Sequence, residues 1–321
     1  MHSIQDANNP PALLSVQHLN IQHADHLLVA DLNFQLHAGE TIALVGESGS
    51  GKSISSLALL GLLPSTLKIQ GQAWLGQKNL LALKTEQLRQ IRGQKIAMIF
   101  QEPMTALNPL HRVEKIIGET LLLQGWSKQK TRARMIELLK DVGIPDPEDK
   151  LRRYPHELSG GQRQRVMIAM ALALDPDILI ADEPTTALDV TLQAQILKLL
   201  KSLQQSRNMA MILISHDLNL VRRYADQVIV MNKGVVEEQG SVTEIFKHPK
   251  QAYTRDLLNH DFGEALHITE AENLLTLNHV AVKFPIKQGL LNRVKDYFVA
   301  VEPLDLQLMQ GESIGIVGES G

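Results

Sequence analysis

Apolar residues gather in short unbroken runs, separated by longer stretches where they recur every three or four positions. Residues 41–45 form one such run leading into a glycine-rich turn, and 178–181 and 209–215 form two more. Unbroken apolar runs of this length suit strands of a parallel sheet, which is covered on both faces. Residues 52–62 read as a helix that stops near Gly61 and Pro64, and 190–205 have helical spacing. The alternation predicts an α/β domain with a mainly parallel sheet. Residues from about 103 to 165 read as mostly helical, with amphipathic stretches such as 130–142, and are expected to form an inserted helical subdomain.

The pattern then starts again. Residues 259–273 are polar and somewhat acidic and read as a linker. Leu13-Leu14-Ser15-Val16-Gln17-His18-Leu19 is echoed by Leu274-Leu275-Thr276-Leu277-Asn278-His279-Val280, an offset of 261. Gly39-Glu40 is echoed by Gly311-Glu312, and Val45-Gly46-Glu47-Ser48-Gly49 by Val317-Gly318-Glu319-Ser320-Gly321, an offset of 272. The difference, 272 − 261, places 11 extra residues in the second copy, around 285–297. Three matches in order predict a duplication. The expected organisation is a first domain over 1–258, a linker over 259–273, and the truncated start of a second domain of the same kind over 274–321.

Composition narrows the function. The 321 residues are enough for one large domain and part of another at roughly 150 per domain. The net charge of −3 leaves no basic footprint for nucleic acid, and 4% aromatics offer no base-stacking platform. With no cysteine, the chain builds no disulfide, thiolate metal site or iron–sulfur cluster. The first residues lack the basic and apolar regions of a signal peptide, and apolar runs such as 166–174 fall short of the roughly 20 residues that span a bilayer. Work at a membrane would therefore place this chain on another subunit.

The glycine-rich turn carries the first chemistry. Gly46-Glu47-Ser48-Gly49-Ser50-Gly51-Lys52-Ser53 matches G-x-x-x-x-G-K-[ST] between an expected strand and an expected helix. A triphosphate needs a concave row of backbone N–H groups, and a helix N-terminus adds a favourable dipole. Lys52 is expected on the β- and γ-phosphates and the Ser53 hydroxyl on Mg²⁺. The strand at 178–181 runs into Asp182 and Glu183. Asp182 is expected to hold Mg²⁺, and Glu183 to orient and deprotonate an attacking water. A turn with a solvated lysine, and two acids capping the next helix, are the plainer readings of each motif alone. Together the two define a broad class of ATPases and GTPases.

Leu158-Ser159-Gly160-Gly161-Gln162 opens another expected helix about 20 residues before the acidic strand. A serine and two glycines at a helix start form a second anion site. Here the sequence resembles the ATP-binding-cassette (ABC) family, whose signature is LSGGQ in this position. The resemblance implies a P-loop NTPase fold with an N-terminal antiparallel β region, and ATP and Mg²⁺ as cofactors. Ser159, Gly160, Gly161 and Gln162 would face the nucleotide of a partner cassette. Gln101 resembles the Q-loop glutamine, which touches Mg²⁺ and the water. Ala187-Leu188-Asp189 resembles the D-loop, and His216 the switch histidine at the γ-phosphate. Where family members stack an aromatic on adenine, the register puts His23, and the second copy has Phe284.

Residues 102–109 and the tail 248–258 resemble those of peptide importers and their nickel and glutathione relatives. The two-copy layout looks like the tandem-domain ATPase subunits of oligopeptide and microcin C importers. The implied partners are transmembrane permease subunits, a second ABC domain in the same chain or another copy, and, indirectly, a periplasmic solute-binding protein. The implied place is the cytoplasmic face of a bacterial inner membrane. The competing reading is a soluble tandem ABC ATPase that acts on ribosomes or nucleic acid, which would carry basic or coiled-coil insertions. A non-catalytic cassette is opposed by the intact set Lys52, Gln101, Asp182, Glu183 and His216.

Overall fold

In the computed structural model, residues 11–186, 189–259, 272–288 and 293–316 are described. The chain divides into two compact units, one within 1–260 and one within 261–321.

The first unit opens with an antiparallel hairpin, β1 (Leu14–His23) and β2 (His26–Leu36). After β3 (Thr41–Val45) and α1 (Lys52–Leu59), the chain returns through β4 (Leu67–Leu75), antiparallel to β1, then β5 (Lys78–Asn79) and α2 (Thr85–Ile91). β6 (Ile96–Ile99) leads into the helical stretch α3 (Pro103–Ala106), α4 (Val113–Leu123), α5 (Lys128–Asp141) and α6 (Pro147–Lys150). α7 (Gly160–Ala171) then feeds β7 (Ile178–Asp182), α8 (Val190–Ser206), β8 (Ala210–Ser215), α9 (Leu218–Tyr224) and β9 (Gln227–Asn232). β10 (Val235–Ser241), α10 (Val242–Lys247) and α11 (Ala252–Leu258) complete the unit.

The strand order is β5-β4-β1-β2-β10-β9-β3-β8-β7-β6. The strands β9, β3, β8, β7 and β6 run parallel, while β1, β2 and β4 pair antiparallel. β10 bridges the two regions, antiparallel to β9 and parallel to β2 at Val235 and Ala30. This is the expected α/β architecture: a mainly parallel core sheet with an antiparallel N-terminal region.

The unbroken apolar runs follow from burial on both faces. In β7, Leu179 and Ala181 pack with the helices α4, α5 and α7, while Ile178 and Ile180 pack with the hairpin and α1. β8 alternates the same way, Met211 and Leu213 on one side, Ile212 and Ile214 on the other. A strand one residue out of register would exchange these two cores. Each buried Leu, Ile or Met side chain among these contributes roughly 1.5–3 kcal/mol. α5 is further tied to the end of α8 through Asp175, which accepts from both Arg134 and Arg207 at 2.5 Å.

α1 ends at Leu59, three residues before the expected 62. Gly61 sits at φ +59°, a left-handed value that ends the helical run, and Leu62 N–H returns to the Leu57 carbonyl.

The second unit shows β11 (Asn273–Gln288) paired antiparallel with β12 (Arg293–Met309). Its register reproduces the first hairpin. Val16 pairs with Phe34 and Leu19 with Leu32, as Leu277 pairs with Leu306 and Val280 with Leu304. These pairs keep the sequence offsets of 261 and 272. His18 and His279 both sit at φ +50°, and their N–H groups bond Asn33 Oδ1 at 2.7 Å and Asp305 Oδ1 at 2.6 Å. His37 N bonds Glu40 Oε2, as Met309 N bonds Glu312 Oε2, each at 2.8 Å. The repeat is thus one of bulge geometry as well as of letters. The expected linker falls largely on 260–271, and the second glycine loop on 317–321, outside the described residues.

Candidate functional site

The parallel strands β3, β7 and β8 bring their C-terminal ends side by side, with Val45 opposite Ser215 and Asp182 opposite Ile214. Every candidate catalytic group except Gln101 follows one of these three ends, as expected for an open α/β sheet. Gln101 follows the neighbouring strand β6.

The loop from Gly46 to Ser53 wraps over a cavity of about 470 Å³. Gly46 has φ +144°, and a Cβ there would overlap the Met231 carbonyl oxygen. Gly51 has φ +99°, and a Cβ would lie 2.9 Å from the Leu28 carbonyl oxygen. Only glycine suits both places. Ser48, Gly49, Ser50, Gly51, Lys52 and Ser53 line the cavity, whereas Gly46 and Glu47 do not. α1 starts at Lys52 with no side-chain cap, while Ser159, Asp189 and Asp217 cap α7, α8 and α9. Its uncapped N–H groups suit an anion.

Lys52 is 5% exposed. Its ammonium donates to Gly46 O (2.8 Å), Glu47 O (2.6 Å) and Ser50 Oγ (3.1 Å). Burial lowers its pKa below the ordinary value, against the opposing pull of Glu183, Asp182 and Glu47. Ser53 Oγ donates to Asp182 Oδ1 at 2.8 Å. Burial raises the Asp182 pKa and Glu183 adds to the rise, against the Ser53 hydrogen bond and Lys52. A cationic and two anionic side chains therefore share a poorly hydrated space, a frequent mark of functional sites.

Glu183 sits at φ +44°, a left-handed backbone that costs a non-glycine residue about 1–3 kcal/mol. Its Oε2 accepts from Gln101 Nε2 (3.0 Å) and Thr186 Oγ1 (2.9 Å), and His216 Nδ1 lies 3.5 Å away. The structure thus brings Gln101, Glu183 and His216 together around one carboxylate oxygen. Glu183 and Gln101 line the main cavity, and His216 lines an adjoining one of about 150 Å³ with Glu183 and Thr186.

The oxygen donors at Ser53, Asp182 and Gln101 are hard ligands of the kind Mg²⁺ takes. Among the described residues no group of three or more His, Cys, Asp or Glu could hold a metal. The set fits an ion that takes one or two protein ligands and fills its shell with phosphate and water oxygens.

The signature stands elsewhere. Ser159 caps α7: its Oγ accepts from Gln162 N and its N–H donates to Gln162 Oε1, both at 3.3 Å. Ser159 and Gly160 are exposed, and Gly161 lies against Leu192. None of the four lines the cavity beneath the glycine loop. Asp189 caps α8 by accepting from Leu192 N at 2.9 Å, while Ala187 and Leu188 lie outside the described residues.

His23, expected over an adenine, ends β1 opposite His26 and Leu67 and does not line the cavity. Leu27, Leu28, Ile54 and Lys233 supply the wall beyond the glycine loop. Phe284, its counterpart in the second unit, pairs with Phe298 and is exposed. Sequence reasoning missed Thr186, which a turn three residues after Glu183 signals locally. It also missed Gln164, whose buried side chain donates to Pro184 O at 2.6 Å and ties the signature helix to the Glu183 loop. Leu27, Leu28 and Lys233 reach the cavity by strand pairing alone, which no local pattern announces.

The ABC transporter family model matches residues 29–186. The peptidoglycan transport ATP-binding protein YejF of Agrobacterium fabrum (strain C58 / ATCC 33970) is 49% identical over 327 residues, covering 99% of this chain and 60% of that protein. The chain therefore spans about 60% of the length of the curated relatives it matches first. CbiO1 from Clostridium perfringens, part of the ABC transporter complex cbiONQ, superposes with a TM-score of 0.65 at 30% identity, covering 74% of this chain and 92% of that one. A dimeric post-hydrolysis form of the ATP-binding cassette MJ0796 bound to ADP and Pi superposes with a TM-score of 0.63 at 28% identity, covering 71% and 98%. Sequence relatives, fold and the placement of the motifs agree: the chain belongs to the ABC transporter family, as an ATP-binding cassette.

Proposed function

We propose that this chain binds and hydrolyses ATP to power an importer of peptides or related small solutes. The observation that carries the reading is the convergence of Gln101, Thr186 and His216 on Glu183 beside the Lys52 cavity. The α1 N-terminus and the glycine-loop N–H groups receive the phosphates, and Lys52 exchanges one of its three intraprotein acceptors for phosphate oxygen. Ser53 and Asp182 would hold Mg²⁺, with Gln101 at its edge. The ion, when bound, offsets the charge of the β- and γ-phosphates. Glu183 orients the attacking water and takes its proton, while Gln101 and Thr186 fix the carboxylate. His216, 3.5 Å from the Glu183 carboxylate, would contact the γ-phosphate.

The exposed signature, away from the cavity of its own cassette, suits a site shared between two cassettes. The dimeric neighbour and the internal repeat support the same arrangement, with the partner cassette in the same chain or another copy. Among the described residues no helix is long and apolar enough to cross a membrane. Permease subunits, docking near Gln101 and residues 104–109, would carry the chain on the cytoplasmic face of the inner membrane. The solute-binding protein would meet those subunits rather than this one. The peptide class of cargo rests on the sequence relatives.

Glu183→Gln tests the reading. The amide keeps the shape but is a poor base, so ATP remains bound while hydrolysis at this site falls about 10²- to 10⁴-fold. Single-turnover kinetics with parallel nucleotide occupancy would show it, and normal turnover would remove Glu183 from the role of base. Co-purification with a permease rather than with ribosomes tests the partner.

A further inference from the structure

The Gly46–Glu47 peptide unit is held from both sides. Its carbonyl oxygen, that of Gly46, accepts from Lys52 Nζ at 2.8 Å, and the next carbonyl, that of Glu47, accepts from the same ammonium at 2.6 Å. The N–H of this unit, that of Glu47, donates to the Tyr253 hydroxyl at 3.3 Å. Tyr253 lies on α11, 206 residues along the chain. The six residues that follow Glu47 in the loop line the cavity, and Glu47 does not.

Tyr253 is itself well placed. Glu238, 9% exposed on β10, accepts from the N–H groups of Lys250 and Gln251 at 2.9 and 3.1 Å, fixing the start of α11. Arg255 donates to the carbonyls of Pro249 and Lys250 and closes the same turn. The Tyr253 ring packs against the small apolar cluster of Val45, Val221, Val228, Val230 and Ile245, beneath the loop. The ring is thus set by packing, and its hydroxyl reaches the loop as a separate contact.

We infer that Tyr253 is a positioning residue of the phosphate site: through the Gly46–Glu47 peptide it sets the loop from which Lys52 and the following N–H groups address the phosphates. The inference rests on the nucleotide-binding reading given above. The hydroxyl occupies the Glu47 N–H while Lys52 holds the carbonyl of the same peptide unit, and the next carbonyl, that of Glu47, accepts from Ser50 N–H at 3.2 Å, so the first turn of the loop is fixed at both ends. Removing the hydroxyl frees the Gly46–Glu47 peptide to rotate, and an ordering cost then falls on ligand binding. That cost falls on phosphate and spares the nucleoside, because Leu27, Leu28 and Ile54 belong to other elements.

Tyr253→Phe removes the hydroxyl and keeps the ring. Titration of the full chain with Mg²⁺-ATP, tripolyphosphate and adenosine compares it with the wild type, and nucleotide-free melting is recorded for both. The expected result is a loss of about 2- to 10-fold in affinity for ATP and tripolyphosphate, the span of one neutral hydrogen bond, with adenosine binding and melting unchanged. Glu238→Gln, which weakens the anchor of α11 without touching the loop, should reproduce part of the phosphate-specific loss. Unchanged ATP and tripolyphosphate affinity in Tyr253→Phe would overturn the inference. So would a parallel loss for all three ligands with a lower melting temperature, which marks general packing. A wild-type chain that binds neither ATP nor tripolyphosphate would instead defeat the nucleotide-binding reading.

Discussion

Lys52 carries its charge into a space with little water. Three protein oxygens and the carboxylates of Glu183, Asp182 and Glu47 compensate it only in part, and its pKa is lowered. The cation is the form that attracts phosphate, so the lysine's contribution to affinity is full below its folded-state pKa and falls as the lysine loses its proton. Because burial lowers the folded-state pKa, that fall begins below the ordinary lysine value of 10.5. An alkaline titration of ATP affinity should therefore break earlier than a surface lysine would, and the break should vanish in Lys52→Ala. A break at or above 10.5 would show that the ammonium is better hydrated than its surroundings imply. Glu183 illustrates a different cost. Its left-handed backbone is held by the Ile214 carbonyl, which accepts its N–H at 3.0 Å, and strain of this kind gathers at functional sites.

The element that organises the site is the strand–loop–helix of β3, residues 46–51 and α1. The turn from Met231 to Gly234, between β9 and β10, presses against it: Gly234 N donates to Ser50 O at 3.2 Å, and the Met231 carbonyl faces Gly46. Gly46→Ala forces these backbones apart. A loss of about 1–3 kcal/mol of stability is expected, together with nucleotide binding. Chemical denaturation measures the first, and a variant as stable as wild type would show that the turn yields. This element was legible in the sequence because its demands are local: an apolar strand, glycines where φ is positive, and a helix start. Much of the surroundings was not. Tyr253 meets the loop across 206 residues, and Gln164 meets Pro184 across 20. Such contacts depend on how strands and helices stack, which periodicity does not encode. His23 was placed by register along β1; it pairs with His26 and Leu67, and the cavity wall beside it is lined by Leu27 and Leu28, which no local pattern singles out.

At the scale of the molecule, the same hairpin is built twice with the same register, bulge and caps, and the first copy leads into a glycine loop that lacks a signature in its own cavity. If a partner cassette supplies the missing side, Ser159 acts on a nucleotide other than the one Lys52 holds. Ser159→Arg should then leave ATP affinity at the Lys52 site unchanged and slow hydrolysis in the paired state. The lost helix cap costs about 1 kcal/mol, too little to unfold the unit. Weaker ATP binding by an unpaired cassette carrying this change would place the signature in its own site instead. The central claim, that ATP is held by the loop from Gly46 to Ser53, meets its most direct test in a fluorescent-nucleotide titration of the wild-type chain against Lys52→Ala. Loss of a buried, charge-assisted contact of roughly 1.5–3 kcal/mol predicts affinity weaker by about 10- to 150-fold, and equal affinity in the two proteins would contradict the account.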